Sequence, residues 1–270
     1  MTGLGADLIE GFIAFANRLA DGARAEILPH FRTPMNVENK AAGAVFDPVT
    51  LADRGAEIAM RALIEAAYPD HGIEGEELGV KAARGPFSWT LDPIDGTRAF
   101  IAGLPTWGTL IALTFEGRPL IGVIDQAYLD ERYIGAPGAA FAVTRGVRTP
   151  LHVRDCAHLR EATAATTDPY LFDGAEAGGF EMVRRTAKLT RYGYDCYAYA
   201  MLAAGRIDLV IETGLKTYDV HALIPVIEGA GGMITNWRGG PAWRGGQVIA
   251  AGDSRPHEQA LVALKRAATS

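Results

Sequence analysis

Apolar residues recur at three- and four-residue steps through residues 4–28. Leu8, Phe12, Phe15, Leu19, Ala23 and Ile27 form one stripe, and this spacing predicts an amphipathic helix that Pro29 ends. A linker from Thr33-Pro34 to Gly43 follows and carries Lys40, on a stretch that can close over a site as a lid. The segment Asp47–Asp53 is expected to open a second helix, with Thr50 as cap and Asp53 answering it as in a capping box. Ala56, Met60, Leu63, Ile64 and Ala67 supply its apolar stripe, and Pro69-Asp70 closes it.

The period then changes. Residues 71–76, 87–91, 108–115, 120–125, 131–134 and 140–143 are short β-rich runs divided by Gly, Pro or charged turns. Glu116-Gly117-Arg118 and Pro137-Gly138 read as hairpin loops, which implies antiparallel pairing. Beyond residue 150 strands (162–166, 207–212, 233–237, 248–251) alternate with helices (175–187, 198–204, 220–230, 256–267), the pattern of a parallel or mixed sheet covered by helices. We expect two halves, an α+β unit over 1–146 and an α/β unit over 147–270. Gly229-Ala230-Gly231-Gly232 follows a helix rather than a strand, so it reads as a helix end and turn and not as a dinucleotide loop.

Composition narrows the function classes. The 270 residues are 49% hydrophobic and 21% charged, ordinary for a globular chain. A net charge of −6 leaves no basic excess for nucleic acid or an anionic membrane, although a bound cation can still admit a small anion. Asp7 and Glu10 stand where a signal peptide needs a basic flank, and no apolar run approaches the ~18 residues that span a bilayer. Cys156 and Cys196 lack metal or redox spacing and read as buried reduced thiols, which suits the cytoplasm.

Trp89-Thr90-Leu91-Asp92-Pro93-Ile94-Asp95-Gly96-Thr97 is the most informative segment: an apolar strand running into two aspartates, a glycine and a hydroxyl. Asp92 and Asp95 leave the strand around Pro93, so the turn can aim both carboxylates at one point. Gly96 and Thr97 then offer backbone N–H groups to a phosphate at a helix start. A plain surface turn with a cap could have the same composition. The company of Gly75-Glu76-Glu77 and Asp219, also at strand ends, favours an oxygen-donor site for hard divalent cations, as in two-metal hydrolysis. The six His residues show no zinc-ligand spacing, and His221 reads as structural or peripheral.

Asp92-Pro93-Ile94-Asp95-Gly96-Thr97 matches the D-P-x-D-G-T signature of the inositol monophosphatase superfamily. Gly75-Glu76-Glu77, Asp47–Asp53 and Tyr218-Asp219-Val220-His221-Ala222 resemble its other blocks in the same order. The resemblance implies an α-β-α-β-α layered sandwich and a phosphatase acting on a small phosphorylated metabolite with Mg²⁺, two or three ions per site. It implies that Glu76, Asp92 and the Ile94 carbonyl hold one ion, and Asp92, Asp95 and Asp219 the second. Thr97, hydrogen-bonded to Asp53, would orient and deprotonate the attacking water with Glu76 close by. Homodimers are the rule among such proteins. Ala99 and Tyr218 replace the usual Asn and Trp, and neither change removes a ligand.

Gly193-Tyr194-Asp195-Cys196-Tyr197-Ala198-Tyr199, Trp107–Leu110 and Gly214–Asp219 resemble the histidinol-phosphate phosphatase branch, where Ala99 and Tyr218 are expected. Cys196 and Tyr197 can equally be the core face of a helix, and Asp195 only a helix cap. Under the branch reading Asp195 and Glu212, with Asp95, bind a cationic amine and imidazole, because charge-assisted hydrogen bonds reward carboxylates there. The expected activity is hydrolysis of L-histidinol phosphate in histidine biosynthesis. Inositol-1-monophosphatase, 3′-phosphoadenosine 5′-phosphate phosphatase and a silent metal- or metabolite-binding regulator are the alternatives.

Overall fold

The computed structural model describes residues 4–33, 37–39 and 48–268. Helix α1 (Ala6–Ile27) buries Phe12, Phe15, Leu19, Ala23 and Ile27, the predicted stripe, while Leu8 at its open end stays exposed. Two short antiparallel strands, β1 (Val37–Asn39) and β2 (Pro48–Thr50), precede α2 (Leu51–Ala67). The second helix therefore starts at Leu51 rather than at Asp47, because Pro48-Val49-Thr50 takes extended backbone, which β-branched residues favour. Lys40 and Asp47 lie outside the described residues, as does the side chain of Thr50.

The first sheet contains β3 (Gly72–Gly75), β4 (Gly79–Lys81), β5 (Phe87–Asp95), β6 (Gly108–Phe115), β7 (Arg118–Gln126), β8 (Glu131–Ala136), β9 (Ala139–Thr144) and β10 (Val147–Pro150), with α3 (Thr97–Ile101) after β5. Its spatial order is β10-β9-β8-β7-β6-β5-β3-β4. Pairing is antiparallel except between β3 and β5, which run parallel across the β4 excursion. The sheet extends to Pro150, past the division at 146/147 expected from the sequence, because Arg145-Gly146 is a hairpin turn between β9 and β10. Strands β4 and β10 are exposed edge strands, so neither carries the apolar alternation that would announce it.

The second sheet holds β11 (Thr163–Thr166), β12 (Leu189–Tyr192), β13 (Leu209–Leu215), β14 (Met233–Asn236) and β15 (Gly246–Ala251), in the order β12-β11-β13-β15-β14. It is mixed, as expected: β11 runs parallel to both neighbours, and β15 antiparallel to both of its own. Helices α4 (Gly174–Thr186), α5 (Asp195–Ala203), α6 (Thr217–Val220), α7 (Leu223–Gly229) and α8 (Ser254–Ala267) complete the chain. The helix expected over 220–230 is broken in two. Pro225 clashes with the carbonyl four residues back, at His221, and is tolerated only in the first turn of a new helix.

Three apolar clusters define the layers. One lies between α1, α2 and the first sheet, one between the sheets around α5 and α7, and one between the second sheet and α4 with α8. This is the α-β-α-β-α sandwich anticipated from the sequence. The middle layer is tight: a Cβ on Gly135 would come within 2.2 Å of the Pro225 backbone, so α7 rests on a strand surface that has no side chain there. The carboxylate-bearing ends of β5 and β13 reach this middle layer beside α5 and α6.

Candidate active site

Residues three apart on an unbroken strand point to opposite faces. Asp92 and Asp95 escape that rule because β5 carries a bulge. Asp92 pairs opposite Leu110 and Asp95 opposite Gly108, so Pro93 and Ile94 face Thr109 alone. Pro93 has no N–H for the ladder, and its carbonyl accepts Thr109 Oγ1 at 2.7 Å. The strand thus continues to Asp95, and the two carboxylates are aimed by a bulge within it rather than by a turn beyond Leu91. Asp219 joins them from α6, where its Oδ2 accepts the Lys216 N–H at 2.6 Å. Asp92, Asp95 and Asp219 each offer an oxygen within 4.8 Å of the others.

Three carboxylates so close need a compensating charge. Burial pushes Asp92 well above the usual carboxylate range, and the neighbouring Glu76, Asp95, Asp219 and Asp53 push it further. Burial raises Asp95 to about 7, with the Asp195 charge adding to it and the Cys196 thiol and N–H opposing it. Asp219 is raised to about 8 by burial and then by Asp95, against the Lys216 N–H. Asp92 Oδ1 is buried and has no hydrogen-bond partner among the described residues. A hard divalent cation fits this donor set, since it takes oxygen ligands and relieves the repulsion.

Glu76 stands at the end of β3, its N–H bonded to the Leu91 carbonyl at 3.1 Å. The turn that presents it is fastened to α2 by Glu57, a wholly buried carboxylate. Glu57 accepts the Glu77 N–H at 2.8 Å, the Leu78 N–H at 3.2 Å and Arg61 Nε at 2.7 Å. The sequence reading missed Glu57. Its signal was a charged residue set among Ala56, Met60 and Ile64 on the apolar stripe.

Gly96 follows Asp95 with φ +84°, and a Cβ there would lie 3.0 Å from the Asp195 side chain. Only glycine meets both conditions without strain. Thr97 Oγ1 donates its single proton to the Ile94 carbonyl at 3.1 Å. The expected hydrogen bond from Thr97 to Asp53 is therefore not formed here, although Asp53 is buried and its charge acts on Asp92.

Beside the cluster lies a narrow cleft lined by Asp95, Thr167, Asp195, Cys196, Tyr199, Glu212, Leu215, Asp219 and Leu223. Asp195 and Glu212, expected to select the substrate, are thus brought together with Asp95 and Asp219. Asp195 is the first residue of α5, after the cap position at Tyr194, and has a positive φ of 46°, so it is not the helix cap. Its carboxyl is raised to about 6 by burial, against the charge of Arg98. Glu212 is buried and accepts the Thr167 N–H at 2.7 Å, Thr167 Oγ1 at 3.0 Å and Thr166 Oγ1 at 3.3 Å. Burial nevertheless raises it to about 8. Thr166 and Thr167 were not singled out in the sequence, because a Thr pair ending a strand is unremarkable until the fold sets it against β13.

His221 is structural, as read from the sequence. Its Nε2 donates to the Trp243 carbonyl at 2.7 Å, which leaves Nδ1 to accept Thr90 Oγ1 at 2.9 Å. Cys156 and Cys196 are buried free thiols. Among the described residues no helix is long and apolar enough to cross a membrane.

Comparison with known proteins places this geometry. The model of the inositol monophosphatase family matches residues 9–269. The chain is 44% identical over 268 residues to the chloroplastic bifunctional phosphatase IMPL2 of Arabidopsis thaliana, covering 95% of this chain and 76% of that protein. It is 37% identical over 193 residues to a histidinol-phosphatase of Chlorobaculum parvum, covering 71% and 73%. Among solved structures, an inositol monophosphatase from Zymomonas mobilis superposes with a TM-score of 0.85 at 43% identity, covering 97% of this chain and 100% of that one.

Proposed function

Because this chain belongs to the inositol monophosphatase family, and is a phosphatase of that family, we propose that it hydrolyses L-histidinol phosphate to L-histidinol and phosphate with Mg²⁺. The observation that carries this reading is the cleft. Four carboxylates, Asp95, Asp195, Glu212 and Asp219, line it, and no lysine or arginine does among the described residues. Carboxylates reward a leaving group that bears an amine and an imidazole more than one that bears only hydroxyls.

The residue roles follow from position. Asp92, Glu76 and the Ile94 carbonyl would hold one ion, and Asp92, Asp95 and Asp219 a second, with a third near Glu76. When bound, such ions supply Lewis-acid polarisation of the phosphate and make water a better nucleophile. The Ile94 carbonyl keeps a lone pair for this task while accepting Thr97 Oγ1. Gly96 and Thr97 would direct N–H groups at the phosphate from the start of α3. For Thr97 to help remove a proton from water, its hydroxyl must turn from Ile94 toward Asp53. Asp195 and Glu212 would hold the amine and imidazole of the leaving group, and fix its orientation for in-line attack.

Similarity to the Zymomonas enzyme keeps inositol 1-phosphate as the second reading. Steady-state kinetics with Mg²⁺ decide between them. We expect kcat/KM for histidinol phosphate to exceed that for inositol 1-phosphate by at least about 100-fold, the scale of a lost charged hydrogen-bond pair. Equal values, or a preference for inositol phosphate, would overturn the substrate assignment.

A further inference from the structure

We propose that Tyr199 is a specificity-determining residue, its hydroxyl acting with Glu212 to bind the nitrogen-bearing end of the leaving group. The inference deepens the phosphatase reading given above and rests on it. Tyr199 lies one turn after Asp195 on α5, so the two side chains issue from the same helix face. It is only 2% exposed and lines the same cleft as Asp195, Glu212 and Asp219. Its hydroxyl is buried without a hydrogen-bond partner among the described residues.

A buried, unbonded hydroxyl is costly, and few persist in folded proteins without a reason. Phenylalanine would fill the same space without that cost. The other donors that the cleft offers are already committed. The Thr167 N–H and hydroxyl are committed to Glu212, the Cys196 N–H to Asp95 at 2.6 Å, and the Lys216 N–H to Asp219. Leu215 and Leu223 offer nothing polar. With the carboxylates ionised, as a bound cation and a cationic amine would keep them, an acceptor atom entering the cleft would meet one donor not already bonded, the Tyr199 phenol.

The chemistry that suits such a wall is a ring with an acceptor on one edge and a donor on the other. A neutral imidazole has both: one nitrogen can accept from Tyr199 while the opposite N–H donates to Glu212. An ammonium group has donors only, and the carboxylates serve it. On this assignment Asp195 and Asp95 face the amine, and Tyr199 with Glu212 reads the ring.

The test is Tyr199→Phe, assayed with Mg²⁺ on histidinol phosphate and inositol 1-phosphate, together with the melting temperature. We expect the ratio of the two kcat/KM values to move about tenfold against histidinol phosphate, the scale of one hydrogen bond in a dry site. The melting temperature should hold or rise, because the substitution removes an unbonded buried hydroxyl. Tyr199→Met should move the ratio in the same direction. An unmoved ratio in both variants, or an equal loss on both substrates with a lower melting temperature, overturns the role. The substrate reading fails separately, through the native protein alone. If the native protein prefers inositol phosphate but Tyr199→Phe still shifts the ratio, Tyr199 reads the leaving group and only the substrate assignment falls.

Discussion

Asp92→Asn should cut phosphate release by at least about 10³-fold and, at the same time, raise the melting temperature of the cation-free protein by a few degrees. The two effects share one cause. Asp92 is buried at the centre of the cluster, close enough to Asp95 and Asp219 for one cation to touch all three. Burial and four neighbouring carboxylates disfavour its charge. Without a cation, the folded protein must bear that repulsion or take up a proton to relieve it, and either costs stability. Asparagine keeps the volume, removes one negative charge and can donate to the carboxylates beside it. With the charge goes the ligand shared by both proposed ion positions, so turnover collapses where stability improves. Phosphate release with Mg²⁺ and calorimetry in chelator give the two readouts. Near-native kcat would remove Asp92 from its role, and a clear fall in melting temperature would show that its charge serves the fold.

The second large effect is on the pH dependence of stability in chelator. Asp95 is raised to about 7, and Asp219 and Glu212 to about 8, far above an unfolded carboxylate near 4. For these groups the folded state binds protons that the unfolded state has already lost. Their contribution is therefore fully present below the unfolded pKa and is lost as pH rises through the folded values. His71, His221 and His257 act in the opposite sense, since burial lowers all three. Their contribution is gained as pH rises and is complete above about 6.5. The carboxylates are thus best isolated between pH 6.5 and 8.5. There the cation-free protein should lose stability at about 1.4 kcal/mol per pH unit for each excess proton held. Saturating Mg²⁺ should flatten or reverse that slope, because cation and proton compete for the same oxygens. Urea midpoints across this window check it; stability rising with pH in chelator would contradict the arrangement.

Much of this was legible in the sequence. The long helices, the change from hairpins to alternating strands and helices, and Asp92, Asp95, Asp195 and Asp219 were readable from period and local composition, whereas Glu212 came only with the family resemblance. Five short strands were not readable: β1 and β2 fall where a linker and a helix start were expected, and β4, β10 and β12 are mostly exposed and carry no apolar alternation. The bulge at Pro93 was visible only as a proline in a strand, and its effect on the aim of two side chains needs the register of β6. Glu57, Thr167 and Tyr199 share another limit. Each is ordinary in its own segment and acquires meaning only from a partner far along the chain: the turn at Glu77, the carboxylate of Glu212, the cleft between α5 and β13. The bond expected from Thr97 to Asp53 failed for the converse reason, since a local carbonyl, Ile94, takes the proton first.

On the proposed function, this carboxylate cluster, with Mg²⁺, releases phosphate from L-histidinol phosphate. Protein stripped with a chelator and titrated with Mg²⁺, with phosphate measured at each step, tests it most directly. Negligible release is expected before Mg²⁺ is added, with a saturable rise as it is restored. Full release in chelator, or none at saturating Mg²⁺, would contradict it.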